Sequence, residues 1–166
     1  MDIHELYYLL SATKVGDVMT VAPLTLKGKD SLELAAVVML EDKISGLPVV
    51  DDEERLIGLL SETDVLRAFV RNSGIQDGAR RYVFDLPDVP GSVSKVMENM
   101  YRCEARVISI FTSFEDVAQG QKQVSIRIIV PDSIKSEELH QRLLANFTVL
   151  DFGIDDLKNR PRKASF

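Results

Sequence analysis

Residues 31–70 have the sequence SLELAAVVMLEDKISGLPVVDDEERLIGLLSETDVLRAFV, and this stretch determines the fold of the first half of the chain. Asp30 or Ser31 is a suitable helix N-cap, and the apolar residues behind it recur at helical spacing, which predicts a helix over 31–43. This helix is apolar on nearly every side. We therefore expect it to be covered on two faces, by its own sheet and by a second surface.

A β-hairpin is predicted to follow this helix. Two apolar runs, 47–50 and 55–60, flank the acidic turn Asp51–Glu54. Ser61 then caps a second helix, in which Val65, Leu66, Phe69 and Val70 share one apolar face. Together with a short strand over 23–26, the order is strand, helix, strand, strand, helix, which is a compact βαββα unit.

The second half of the chain starts a new pattern after a segment rich in turn-forming residues, NSGIQDG. Its order is βαββαβ, typical of a ferredoxin-type sandwich with two helices on one face of a sheet. The predicted strands are 82–86, 106–112, 124–130 and 147–152, with helices starting near Ser92 and Ser136. The predicted fold class is mixed, α+β or α/β. The chain is predicted to contain a linker helix in 1–14, the first unit in 15–71, a linker in 72–79, the second unit in 80–156 and a basic tail in 157–166.

Composition and charge exclude several classes of function. The chain has 166 residues, of which 45% are hydrophobic, and 20 Lys and Arg against 26 Asp and Glu. Residues 1–78 hold seven Lys and Arg against fourteen Asp and Glu, a balance of −7, so a nucleic-acid partner is not expected. The sequence contains neither an apolar run of about 18 residues nor a signal-peptide pattern, which predicts a soluble, cytoplasmic protein without a membrane partner.

Catalytic and metal-binding residues are not predicted. Cys103 is the single cysteine, and His4 and His140 are the two histidines, which disfavours a disulfide, a zinc site and a Ser/His/Asp triad. Cys103 lies beside Arg102, which would lower the pKa of a thiol, but a small residue next to the core is the preferred interpretation. The adjacent carboxylates of the acidic turns are interpreted as solvated surface charge.

The segment Gly58–Asp64 is the strongest candidate for a binding site. A strand that runs directly into a helix N-terminus presents backbone N–H groups and a partial positive charge, which suit a phosphate group. The Ser61 hydroxyl would lie at that terminus, and Asp64 is placed to accept hydrogen bonds from the hydroxyls of a ribose. The alternative is that Ser61 and Asp64 only stabilise the start of the helix.

Residues 15–71 resemble a CBS domain. The matching motifs are VGDVMT at 15–20, GLPVVD at 46–51 and the pattern glycine, two apolar residues, Ser, two residues, Asp at 58–64. The resemblance implies an adenosine nucleotide (AMP, ADP or ATP) in a cleft between paired motifs. By position the ligand would contact Thr20, Val21, Ala22, Pro23, Gly46, Leu47 and Pro48 around the base, Ser61 or Thr63 at the phosphate and Asp64 at the ribose. Many nucleotide-binding members carry Arg or Lys beside the aspartate, where this chain has Glu62 and Thr63, so adenosine or a monophosphate is favoured over a triphosphate.

Residues 80–156 resemble an ACT domain, a module that senses small molecules. The match is LPDVPGSV at 86–93, between the first strand and the first helix. Gly91 permits a close backbone approach, and the helix start supplies N–H donors to a carboxylate. The resemblance implies an amino acid or small carboxylate bound by Asp88, Val89, Pro90, Gly91 and Ser92; the alternative is a tight turn without a ligand.

The order CBS then ACT resembles bacterial acetoin-utilization accessory proteins, which have two CBS motifs before the ACT domain. We therefore expect an upstream motif to be missing and two copies to pair as a homodimer through their CBS units, with a second contact through the ACT units. The predicted function is non-enzymatic ligand sensing, without a required cofactor, that regulates a partner enzyme. The alternative is a dimerisation and docking module without a ligand. An open cleft near Lys14, Lys43 or Arg67 would favour ligand binding, and a cleft closed by Leu47 and Phe69 would favour docking.

Overall fold

The computed structural model describes residues 2–158, and the chain divides into two compact units, Met1–Leu66 and Arg67–Phe166. The mixed α+β fold class is confirmed. The elements that begin in unit 1 are α1 (Ile3–Ala12), α2 (Val15–Val18), β1 (Leu26–Lys27), α3 (Leu32–Asp42), β2 (Gly46–Val50), β3 (Leu56–Ser61) and α4 (Glu62–Ser73). Helix α4 starts in unit 1 and ends in unit 2.

Unit 1 contains a three-stranded sheet in the order β1-β2-β3. Strand β1 is parallel to β2, and β2 is antiparallel to β3, which confirms the predicted hairpin. The register places Gly46 opposite Ser61 and Leu47 opposite Leu60. The turn between the strands is held by Asp51, whose carboxylate accepts hydrogen bonds from the backbone N–H groups of Glu53 and Arg55.

One side of α3 packs on the sheet, and the other side is open. The core of unit 1 consists of Leu26, Ala35, Met39 and Leu47, with Val38, Ile44, Leu60 and Val65 packed against it. On the outer side of the helix, Leu34, Val37 and Leu40 are 45%, 47% and 76% exposed. Unit 1 thus leaves this apolar face of α3 uncovered, which agrees with the prediction that the helix needs a second covering surface.

Unit 2 has the predicted βαββαβ order. After a 3₁₀ turn (Ile75–Asp77), its elements are β4 (Arg80–Pro87), α5 (Ser92–Arg102), β5 (Arg106–Ser113), β6 (Gln121–Ile129), α6 (Ser133–Asn146) and β7 (Thr148–Gly153). The sheet order is β5-β6-β4-β7, and every paired strand is antiparallel. Both helices contribute to one core, on one face of this sheet; its buried residues are Tyr82, Phe84, Leu86, Val96, Met100, Cys103, Val124, Ile126, Ile128, Leu139 and Leu143.

Several element boundaries differ from the predictions. The predicted linker 72–79 begins inside α4, which continues to Ser73 and is followed by the 3₁₀ turn. The strand expected over 23–26 pairs only at Leu26 and Lys27. Helix α6 starts at Ser133 because Asp132, rather than Ser136, caps it by accepting a hydrogen bond from the Lys135 backbone N–H at 2.7 Å.

A helix, α1 (Ile3–Ala12), is present in the segment predicted as a linker helix, 1–14, whereas α2 was not predicted. Most of the predicted basic tail, residues 159–166, lies outside the described residues. Among residues 2–158, no helix has both the length and the apolar character needed to cross a bilayer.

Candidate functional site

The N-terminus of α4 is built from a reciprocal pair of side chains. The Ser61 hydroxyl donates to Asp64 Oδ2 at 2.5 Å, and the backbone N–H of Ser61 donates to the same oxygen at 3.1 Å. The Asp64 N–H in turn donates to Ser61 Oγ at 3.2 Å. This is the arrangement of a capping box, with an aspartate in the place of the usual glutamate. The two groups predicted to meet phosphate and ribose are thus adjacent, and both stabilise the start of the helix.

Strand pairing brings a second predicted segment to this helix terminus. Gly46 lies opposite Ser61, and the Glu62 N–H donates to the Ser45 carbonyl at 2.9 Å. Pro48 is half-buried on the same strand. Leu47 is fully buried in the core of unit 1, and its position beside a base stays a prediction.

The remaining predicted nucleotide residues are exposed. Thr20, Val21, Ala22 and Pro23 form an irregular segment between α2 and β1, and Val21 is 86% exposed. Thr63 is exposed in the first turn of α4. These residues are accessible to a ligand because they are exposed. The contacts of unit 1 described above do not hold any of them in a defined pocket.

A cleft of about 420 Å³ lies between α3 and α4 within unit 1. It is predominantly apolar with three polar groups at its edge, and it is lined by Ala36, Met39, Leu40, Lys43, Ile44, Ser45, Glu62, Val65 and Leu66. Concave, mostly apolar clefts of this size with a few polar groups are typical of small-molecule sites. Lys43, one of the three cations whose position near an open cleft would favour ligand binding, lines this cleft. The two residues whose closure of the cleft would favour docking do not line it: Leu47 is in the core of unit 1, and Phe69 contacts Phe111.

Two charged residues, Lys43 and Glu62, are among those that line this cleft. Lys43 is the C-cap of α3 with a left-handed φ of 54°, and Glu62 follows directly after Ser61. The end of α3 at this residue agrees with the predicted helix over 31–43, although a lysine rarely adopts a left-handed conformation. Glu62 was detectable from its position beside Ser61, but its acidic charge argued against a phosphate contact.

The turn before α5 is the candidate site of unit 2. Gly91 is the N-cap with a left-handed φ of 81°, and no side chain caps the helix. The Asp88 N–H donates to the Gly120 carbonyl at 2.9 Å, and the Asp88 carboxylate lies 3.2 Å from the Lys122 ammonium. Val89 and Pro90 are exposed, while Ser92 is buried. The five predicted residues are therefore contiguous around one helix terminus, and Lys122, which no sequence motif indicated, contacts one of them.

Cys103 is buried in the core of unit 2, and this burial, reinforced by the carboxylate of Glu138, raises the pKa of its thiol. A thiol with a raised pKa is a poor nucleophile at neutral pH. Within residues 2–158, no group of three or more His, Cys, Asp and Glu side chains is arranged to hold a metal ion.

Residues 15–71 match the family model for the CBS domain. This segment is therefore a CBS domain, as its motifs predicted. The chain is similar to two chloroplastic CBS domain-containing proteins of Arabidopsis thaliana: it is 48% identical to CBSX1 over 63 residues and 46% identical to CBSX2 over 68 residues. These matches cover 36% and 39% of this chain but only 27% and 29% of the relatives, so the chain spans less than a third of their length.

A solved structure is also similar to part of the chain. It is a crystal structure of CBSX2 in complex with AMP, with 44% sequence identity and a TM-score of 0.33, and the similarity covers 42% of this chain and 53% of that chain.

Proposed function

We propose that this chain is a non-enzymatic regulatory protein whose CBS domain binds an adenosine nucleotide at the N-terminus of α4. The observation that carries the proposal is sequence identity. The chain is 46% identical over 68 residues to CBSX2, a protein that has been crystallised with AMP. The regulated partner is an enzyme, and ligand binding shifts the conformational equilibrium of the regulatory chain.

The geometry of α4 supports this site. The backbone N–H groups at a helix N-terminus favour an anion such as phosphate, and Asp64 provides a carboxylate for the ribose hydroxyls. A carboxylate has about four acceptor positions, so Asp64 is able to hold the Ser61 cap and accept from a sugar. Gly46 is paired directly with Ser61, so its backbone lies close to the same helix terminus.

The charge of the first half of the chain favours a ligand with few negative charges. Residues 1–78 carry a balance of −7, and the two residues before Asp64 are Glu62 and Thr63 rather than a cation. Lys43 is the cation at the neighbouring cleft. One ammonium and one helix terminus suit the single phosphate of AMP better than the three phosphates of ATP.

A thermal-shift screen of the full chain tests the proposal. The ligands are AMP, ADP, ATP, NAD, S-adenosylmethionine and a set of amino acids. A ligand present at 100 times its Kd stabilises the folded state by about 2.7 kcal/mol, and we expect AMP to give the largest shift. Asp64→Ala should remove the response to AMP.

Asp132→Ala is the matched control for that substitution. Asp132 caps α6 in unit 2 in the same manner, by accepting a backbone N–H, so both variants lose a helix cap. The control should therefore melt at a lower temperature but keep its full AMP response. A clear AMP shift in the Asp64→Ala protein would refute the site, and the absence of any nucleotide shift in the unsubstituted protein would refute nucleotide sensing.

The turn over Asp88–Ser92 is proposed as a second ligand site, for a small amino or carboxylic acid. Its support is the uncapped N-terminus of α5 and the resemblance of residues 80–156 to an ACT domain. The homodimer, the acetoin-utilization type and the cytoplasmic location remain predictions.

A docking module without a ligand is the competing proposal. Its support is the exposed apolar face of α3, at Leu34, Val37 and Leu40, together with the exposed strand β3, whose Leu59 is 71% exposed. This proposal predicts dimerisation without any response in the ligand screen.

A further inference from the structure

The cleft between α3 and α4 in unit 1 presents apolar surface to solvent. Met39, which lines it, is only 5% exposed, whereas Leu40 and Leu66 line it with exposed fractions of 76% and 58%. Its volume of about 420 Å³ lies in the range of small-molecule sites. A ligand with an apolar group would remove this surface from water, which is favourable. The charged residues of the lining restrict which ligand that is.

Backbone hydrogen bonds hold these two charged residues, Lys43 and Glu62, at the same end of the cleft. Lys43 is the C-cap of α3, and the next N–H along the chain, that of Ile44, donates to the Met39 carbonyl at 3.0 Å. Ser45 follows, and its carbonyl accepts the Glu62 N–H at 2.9 Å. The first residue of α4 is therefore bonded to the residue that lies two positions after Lys43.

Lys43 and Glu62 carry opposite charges but do not pair with each other. Among residues 2–158, neither side chain has an ion-pair or hydrogen-bond partner, and both residues are exposed. An ammonium offers three donors and a carboxylate about four acceptor positions, so the hydrogen-bonding positions of both groups are open to a ligand. The cleft thus presents one cationic donor and one anionic acceptor beside an apolar surface.

This combination selects among ligand classes by charge. A fatty acid would place its carboxylate near Lys43 but also near the like charge of Glu62, and an alkylamine would meet the converse repulsion from Lys43. A zwitterion with an apolar side chain matches both charges and the apolar lining. The free α-amino acids with large apolar side chains have this chemistry.

We propose that the cleft binds a free α-amino acid with a large apolar side chain, such as leucine, methionine or phenylalanine. Lys43 donates to its carboxylate, Glu62 accepts from its ammonium, and the side chain covers Met39, Leu40 and Leu66. This site is separate from the ligand site proposed in unit 2. It shares only Lys43 with the proposed nucleotide site, so Lys43 is not used to test it.

The test is isothermal titration calorimetry of the full chain at constant ionic strength, with L-leucine, L-methionine and L-phenylalanine as separate probes. At least one of them should give a saturable isotherm. Isocaproate lacks the ammonium of leucine, isoamylamine lacks its carboxylate, and L-alanine lacks its large side chain. Each of these three should bind at least about tenfold more weakly than L-leucine. Equal binding of isocaproate and L-leucine would overturn the zwitterionic ligand.

Glu62→Gln tests the assigned acceptor and should weaken binding of the amino acid at least about tenfold. Glu33→Gln is the matched control, because Glu33 is also an exposed acidic residue in the first turn of a helix but does not line the cleft. It should bind as the unsubstituted protein does. Unchanged binding by Glu62→Gln would overturn the assigned recognition.

Ala36→Phe tests the cleft itself, since it places a larger side chain in the lining and should abolish binding. Val37→Phe changes the adjacent residue of α3, which lies outside the lining, and should leave binding intact. Unchanged binding by Ala36→Phe would place the amino acid elsewhere in the chain and overturn the site. If this variant fails to fold, Glu62→Gln keeps the inference falsifiable.

Absence of binding by all three amino acids would also overturn the inference, including the case in which a second copy of the chain covers the cleft. The AMP response of the same sample is measured separately. That response depends on Ser61 and Asp64, so failure of the amino-acid site and failure of nucleotide sensing are distinguishable.

Discussion

At the scale of single residues, the clearest constraint is a glycine at the end of α4. Gly74 has a φ of +74°, and a Cβ built on it would lie 2.3 Å from Ile108 Cγ2. An L-residue in this conformation costs roughly 1–2 kcal/mol, and the overlap with a β-branched side chain adds to that cost. Position 74 therefore favours glycine over any other residue, for both conformational and steric reasons.

We predict that Gly74→Ala lowers the free energy of unfolding by more than about 2 kcal/mol, measured by urea denaturation. Gly78→Ala is the control, because Gly78 has a similar φ of +68° but an added Cβ would meet no atom within 4 Å. The control should lose only the conformational part of the effect. Equal losses in the two variants would contradict the close contact with Ile108.

Cys103 gives a second prediction at this scale. Because burial raises the pKa of its thiol, iodoacetamide should modify the folded protein slowly at pH 8 and the urea-unfolded protein at the rate of an ordinary cysteine. Mass spectrometry of timed samples measures both rates. Rapid modification of the folded chain would show that the thiol is accessible and reactive.

At the scale of elements, the α4 cap and the β2–β3 turn determine how unit 1 responds to substitution and pH. Ser61→Ala and Asp64→Ala should each lower the free energy of unfolding by about 1 kcal/mol, the usual effect of losing a helix cap. Because the two residues bond to each other, the double variant should lose less than the sum of the single losses. Strict additivity in urea denaturation would mean that the reciprocal bonds do not form in solution.

The turn carboxylate Asp51 predicts a pH dependence. Hydrogen bonds from the backbone and side chain of Arg55 and from the backbone of Glu53 hold its pKa below the ordinary value of 3.8. A carboxyl group with a lowered folded pKa stabilises the protein above its unfolded pKa and loses this contribution as the pH falls through the folded value. Between pH 5 and pH 2.5, Asp51→Asn should therefore show a weaker loss of stability than the unsubstituted chain. Identical pH profiles in thermal melts would contradict the shift.

Local sequence signals predicted the elements better than their ends. Asp30 or Ser31 was predicted as the N-cap of α3, and Ser31 is the N-cap, since its Oγ accepts from the Leu34 N–H at 3.1 Å. The end of α3 at Lys43 also agrees with the predicted helix over 31–43. The start of α6 was not predicted, because Asp132 caps the helix at Ser133, three residues before the expected Ser136.

The candidate sites were also only partly predictable from the sequence. The Ser61 and Asp64 pair followed from the strand-to-helix motif, but the Lys122 contact did not, because the predicted strand began at Val124. Extending its alternation two residues toward the N-terminus would have placed Lys122 on the core face.

At the scale of the whole molecule, the exposed apolar surface of unit 1 predicts self-association. Sedimentation at micromolar concentration should give twice the chain mass of 18.6 kDa. Leu40→Glu, on the open side of α3, should shift the protein toward monomer without unfolding it, since Leu40 is 76% exposed. Ile134→Glu, at an 80% exposed position on α6, is the control and should remain dimeric. A monomer in the unsubstituted protein would contradict pairing.

The N-terminus of α4 is the proposed binding site for AMP. An NMR titration of the ¹⁵N-labelled full chain with AMP tests it most directly, because each amide reports its own surroundings. We predict saturable shifts that are largest at the amides of Gly46, Ser61, Glu62 and Asp64. Shifts confined to other regions, or no saturable shift at millimolar AMP, would contradict the account.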